Sequence, residues 1–109
     1  MFQSRKVGDI LVLVAPGELD ARNAQAAKEH LKELVKAGNS RMVIDLSPLT
    51  FIDSSGLGAL LTALKAARTA NGDVKLTGLT PPVRTIFELT RLYNVFSSYP
   101  TVELAAQSF

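Results

Sequence analysis

A chain of 109 residues without cysteine fits one domain, residues 1–109, with one hydrophobic core, and it excludes disulfide staples and thiolate chemistry. Its hydrophobic fraction of 47% and charged fraction of 20% are those of an ordinary globular protein. The formal net charge is +2, and the basic residues are scattered rather than clustered or interleaved with aromatics, so direct nucleic-acid binding has no footprint.

Residues 1–9 are mostly polar and form no secretory h-region. The longest apolar run, residues 10–15, falls far short of a bilayer. The chain therefore reads as a soluble cytoplasmic protein with no membrane partner. Residues 2–7 are expected to form a short edge strand, and Gly8-Asp9 marks a turn. The run that follows, Ile10-Leu11-Val12-Leu13-Val14-Ala15, is continuously apolar, as in a strand buried on both faces. These two strands are close enough to form an antiparallel hairpin. Asp20 is a candidate N-cap for a first helix. In that helix Ala24, Ala27, Leu31, Leu34 and Val35 recur at helical spacing, before a stop at Gly38-Asn39.

Residues 41–46 form the next apolar strand. A second helix is expected from Ser54 or Ser55 to about Asn71, closed by Gly72. Val74-Lys75-Leu76-Thr77 alternates, as a half-covered strand does. Pro81-Pro82 opens a third helix with Val83, Ile86, Phe87 and Thr90 on one side. Residues 95–99 read as a last short strand and residues 102–109 as a C-terminal helix. Strands alternating with helices favour an α/β fold with a mostly parallel sheet.

The most informative stretch is Asp53-Ser54-Ser55-Gly56-Leu57-Gly58, which joins a strand to a helix. A helix N-terminus has free backbone N–H groups and the positive end of the helix dipole, so it favours negative charge. A serine there can accept a phosphate without opening the fold. Its plainer role is to cap the helix. On the second helix, Leu57, Leu60, Leu61 and Leu64 form one stripe, while Ala59, Thr62, Ala63, Ala66 and Ala70 lie opposite. Such a small-residue face suits either close approach by a partner or packing beneath another element of the same domain. Extending the wheel places Ser55 on that face and Ser54 on its flank.

These residues, with their surroundings, resemble the STAS domain family, in particular bacterial anti-sigma-factor antagonists of the sporulation and general-stress type. Gly17-Glu18-Leu19-Asp20, Val43-Ile44-Asp45-Leu46-Ser47, residues 51–58, Leu79-Thr80-Pro81-Pro82-Val83 and Ile86-Phe87-Glu88-Leu89 carry the resemblance. It implies a mixed sheet of four or five strands with helices mainly on one side. It also implies that Ser55 is the phosphoacceptor, and that the dephosphorylated protein captures an anti-sigma factor which is a GHKL-type ATP-dependent serine kinase. Phosphorylation would end capture, and a PP2C-type phosphatase would restore it. Partner contacts are expected from Glu18, Asp20, Asp53, Ser54, Gly56, Leu57, Gly58, Ala59, Thr62, Ala63 and Ala66, with no cofactor and a monomer when free. Asp53 either caps the helix or positions the Ser55 hydroxyl. Gly56 and Gly58 serve either close approach or loop geometry.

Two rivals follow from the same residues. An enzyme would need a base for its serine, and the single histidine, His30, lies within the first helix pattern. There is no Gly-x-Ser-x-Gly elbow, P-loop lysine motif or metal-ligand cluster. A STAS module regulating a transporter or a lipid-transport complex would share the fold and differ only in its partner.

Overall fold

A computed structural model describes residues 1–109. The opening hairpin pairs β1 (Gln3–Val7) antiparallel to β2 (Ile10–Val14), with Val7 opposite Ile10 and Gln3 opposite Val14. Next come β3 (Glu18–Leu19), α1 (Ala24–Lys36), β4 (Arg41–Asp45) and β5 (Phe51–Ile52). The chain continues through α2 (Ser54–Thr69), β6 (Asp73–Thr77), α3 (Pro81–Leu89), β7 (Ser97–Tyr99) and α4 (Val102–Gln107). The main sheet has five strands in the order β1-β2-β4-β6-β7, the last four mutually parallel. The expected mixed sheet is thus present. β3 and β5 form a separate parallel pair, with Glu18 opposite Phe51 and Leu19 opposite Ile52.

Strand alternation divides the core into two unequal parts. Leu11, Leu13, Met42, Ile44, Val74 and Leu76 point to the larger side, where they join Leu31 of α1, Leu60 and Leu64 of α2, and Val83 and Phe87 of α3. Ile10, Val12 and Val43 point the other way, to Ala105 of α4. Both faces of β2 and β4 are therefore dry, which is why these strands read as unbroken apolar runs. Three helices cover one face and the short α4 the other.

The alternation in β6 has a different cause from the one expected. Lys75 is buried alongside its apolar neighbours, at 8% exposure. Its ammonium donates to the Ser108 carbonyl (2.9 Å) and hydroxyl (2.8 Å) and lies 4.5 Å from the Phe109 ring centroid. Its stem crosses the sheet face that α4 covers, and its charge is satisfied at the chain terminus. A lysine in a strand signals a wet face only when nothing lies above it.

Local boundaries also differ from expectation. Asp20 does not cap α1. Its carbonyl accepts from the N–H groups of Asn23 (3.1 Å) and Ala24 (2.8 Å), its carboxylate accepts from the Arg22 N–H (2.9 Å), and the helix begins after that turn. At the end of α2 the left-handed position is taken by Asn71 (φ 64°), not by Gly72. Gly72 is required for another reason: a Cβ there would lie 1.8 Å from the Ser40 carbonyl oxygen. The last strand begins at Ser97, because a 3-10 turn occupies Leu92–Asn94 and Phe96 turns inward to meet Phe87 edge-on at 5.9 Å.

Candidate functional site

The loop before α2 is held from two sides. Asp53 adopts an extended conformation and caps α2, its Oδ1 accepting from the Gly56 N–H at 3.0 Å. Its Oδ2 accepts from the Ala21 N–H at 3.1 Å, in the turn that leads into α1. The Asp53 N–H donates to the Leu19 carbonyl (3.3 Å), and Thr50 donates to the Gly17 carbonyl through both its N–H (2.7 Å) and its hydroxyl (2.9 Å). These bonds, with the β3–β5 pair, join the starts of α1 and α2 into one framework. Gly56 completes it. A Cβ at that position would lie 2.2 Å from the Leu19 carbonyl oxygen, so only glycine lets α2 begin this close to β3.

On that framework Ser54 and Ser55 are both exposed. Their settings differ. Ser55 and Gly58 face Ala21, Ala24, Gln25 and Lys28 of the α1 side across a shallow groove of about 280 Å³, and Ser54 lies outside it. Gly58 has open space around it: a Cβ there would meet nothing within 4 Å.

Of the two uses open to the small-residue face of α2, packing within the domain takes most of it. Ala59 and Ala63 are fully buried, as is Ala67, while Leu61 is only partly covered. The core side of α2 is centred between the leucine stripe and the alanine stripe. α1 lies against α2, and small side chains let two helix backbones pack closely. The outward side carries Ser55, Gly58, Thr62, Lys65 and Thr69, with Ala66 half-buried at its margin. Of the expected contact residues, Gly56, Leu57, Ala59 and Ala63 are therefore interior. They shape the site and cannot form its outer surface.

Glu18 and Asp20 also separate. Glu18 is exposed, whereas Asp20 is 7% exposed. Arg22 bridges them, its Nη2 lying 2.6 Å from Glu18 Oε2 and 2.7 Å from Asp20 Oδ2. Hydrogen bonds from the Arg22 side chain, and then from its backbone N–H, hold the Asp20 carboxyl below the usual carboxylate range. The same pairing raises the Arg22 pKa. This cluster stiffens the turn before α1 and leaves Glu18 as its exposed acid.

Sequence reasoning missed the α1 wall of the groove. Gln25 and Lys28 occupy ordinary polar positions on a helix, and only the packing of α1 beside α2 brings them opposite Ser55. It also passed over Phe51, which is 50% exposed on β5, two residues before the cap. His30 does not line the groove and packs against Phe2, with ring centroids 6.1 Å apart. No helix is long and apolar enough to cross a membrane.

One family model, the STAS domain, matches residues 1–105. The chain belongs to the STAS domain family. It is 32% identical over 104 residues to the "Putative anti-sigma factor antagonist BtrV" of Bordetella bronchiseptica, covering 95% of this chain and 90% of that protein. It is also 32% identical over 94 residues to the anti-sigma-B factor antagonist of Listeria monocytogenes, covering 86% of this chain and 82% of that one. The crystal structure of an anti-sigma factor antagonist from Mycobacterium paratuberculosis superposes with a TM-score of 0.87 at 26% identity, over 99% of this chain and 92% of that one. A likeness of fold alone extends to the murine anion transporter Slc26a9, with a TM-score of 0.77 at 14% identity over 94% of this chain and 18% of that one.

Proposed function

We propose that this STAS domain is an anti-sigma-factor antagonist. Its unmodified form captures an anti-sigma factor that is also a GHKL-type serine kinase, and the sigma factor is thereby freed. The kinase phosphorylates Ser55, capture ends, and a PP2C-type phosphatase resets the protein. The general role is supported by relatives bearing the name anti-sigma factor antagonist. The switch rests on one observation: Ser55 stands exposed at a helix start whose geometry is fixed by Asp53 and Gly56, beside an open groove.

The docking surface in this reading is the outward side of early α2. Ser54, Ser55, Gly58, Thr62 and the margin at Ala66 form it, flanked by Glu18 and Phe51. Asp53, Gly56, Leu57, Ala59, Ala63 and Asp20 act beneath it by setting the position of the helix. A phosphoserine carries roughly −1.5 to −2 charges and three acceptor oxygens. At Ser55 that charge enters the groove, and a penalty of about 2.8 kcal/mol lowers affinity a hundredfold. The Ser55 hydroxyl takes no part in the hydrogen bonds that hold the loop, so the fold survives its modification.

The test is to incubate the protein with candidate anti-sigma kinases and ATP, map the phosphate by mass spectrometry, and measure capture before and after. Phosphate confined to Ser55, with capture lost, supports the switch. Capture of a transporter subunit in place of a kinase would overturn the sigma-factor reading while leaving the family unchanged.

A further inference from the structure

The groove beside Ser55 contains one charged side chain, Lys28. No carboxylate lies within ion-pairing distance of it. Three charged residues of the turn and of α1 and α2 have partners of their own. Arg22 is held by Glu18 and Asp20. Both oxygens of Asp53 accept backbone N–H groups, and Glu29 accepts from the Gln25 amide at 3.1 Å. The groove therefore has a free cation on one wall and the Ser55 hydroxyl on the other.

We propose that Lys28 is the intramolecular counter-ion of a phosphate on Ser55, an inference that rests on the reading of Ser55 as the phosphoacceptor. The lysine stem is flexible and its ammonium offers three donors. A phosphate on the facing hydroxyl presents three acceptor oxygens, and charge-assisted bonds between such groups are the strong ones. The α2 N-terminus draws the anion to the same place. The paired groups would span and fill the groove. Phosphorylation then acts in two ways: it adds charge, and it closes the cleft between α1 and α2 from within. Lys28, open to a docking partner in the unmodified protein, becomes the seal of the modified one.

The experiment uses the full chain with phosphoserine genetically encoded at position 55, so that no kinase is needed, and follows the phosphate titration by phosphorus NMR. The phosphate of the otherwise unaltered chain should titrate about 0.5 pH unit lower than that of Lys28→Gln. Lys28→Arg should keep the low value. Lys32→Gln, which removes an exposed charge of α1 outside the groove, should leave it unchanged. At ~1 M salt the gap should narrow. If Lys28→Gln titrates like the unaltered chain, or if Lys32→Gln shifts the curve equally, Lys28 is not the counter-ion. Kinase capture by the phosphoserine chain is measured separately. Undiminished capture would defeat the switch reading and would leave the pairing measured by the titration standing.

Discussion

Asp53 accepts a hydrogen bond from the backbone N–H of Ala21, 32 residues earlier in the chain, at 3.1 Å. Its other carboxylate oxygen caps α2 through the Gly56 N–H. One side chain thus fixes the start of α2 and its spacing from the turn before α1. Asp53→Ala should destabilise the protein by about 1–2 kcal/mol, the loss of a cap together with a cross-loop bond. Denaturant unfolding measures that loss. Hydrogen exchange at the Ala21 and Gly56 amides should rise with it, and exchange in β4 should rise only as far as global stability falls.

The two glycines of the loop should respond in opposite directions. Gly56→Ala drives a Cβ into the Leu19 carbonyl and should cost about 1–3 kcal/mol of stability. Gly58→Ala meets open space and should raise stability by about 0.5–1 kcal/mol through helix propensity. The same methyl narrows the groove, so kinase capture should weaken about tenfold. Melting curves beside capture measurements check both. A Gly58→Ala protein that is more stable and binds undiminished would remove the groove from the docking surface.

Asp20 makes the turn before α1 sensitive to acid. Its folded pKa lies below the usual range, chiefly because of the Arg22 hydrogen bond. A group depressed in this way contributes stability above its unfolded pKa, about 3.9, and that contribution is lost as pH falls through the lower folded value. NMR titration should find the Asp20 carboxyl below the ordinary carboxylate range. In Arg22→Gln it should move up towards that range, and the acid-dependent loss of stability assigned to this residue should diminish.

The far side of the sheet offers a local test. Lys75 holds the chain terminus through Ser108 and Phe109. Hydrogen bonding from Ser108, and then the Lys75 charge, lower the Tyr99 phenol pKa. Lys75→Ala should release α4, which appears as faster amide exchange over Val102–Gln107 and a higher Tyr99 pKa. Protection of the first turn of α2 should change little, because α4 packs on the opposite face of the sheet.

The fold was legible in the sequence where side chains report their own burial. Ile10 to Val14 and Met42 to Ile44 are apolar on both faces, and that marks them as interior strands. The candidate site was legible at Ser55, because Asp53-Ser54-Ser55-Gly56 interrupts the pattern between strand and helix. It was not legible along α2. Alanine suits both a contact between helices of one domain and a contact between proteins, and nothing in the order of Ala59, Ala63 and Ala66 separates the two. The position of α1 decides it, and that position is set by contacts distant in sequence. Lys75 misled for the same reason, because its cover comes from the last residues of the chain. Glu18–Leu19 and Phe51–Ile52 were overlooked because two-residue strands have no period to detect.

The decisive measurement compares the unmodified chain with the chain carrying phosphoserine at position 55, each assayed for its melting temperature and for its affinity towards the proposed anti-sigma kinase. Modification should leave the melting temperature within about 4 °C, a change of less than about 1 kcal/mol, while affinity falls about a hundredfold or more. Equal affinity of the two forms, or unfolding of the phosphorylated one, would contradict a switch built on a fixed helix start beside an open groove.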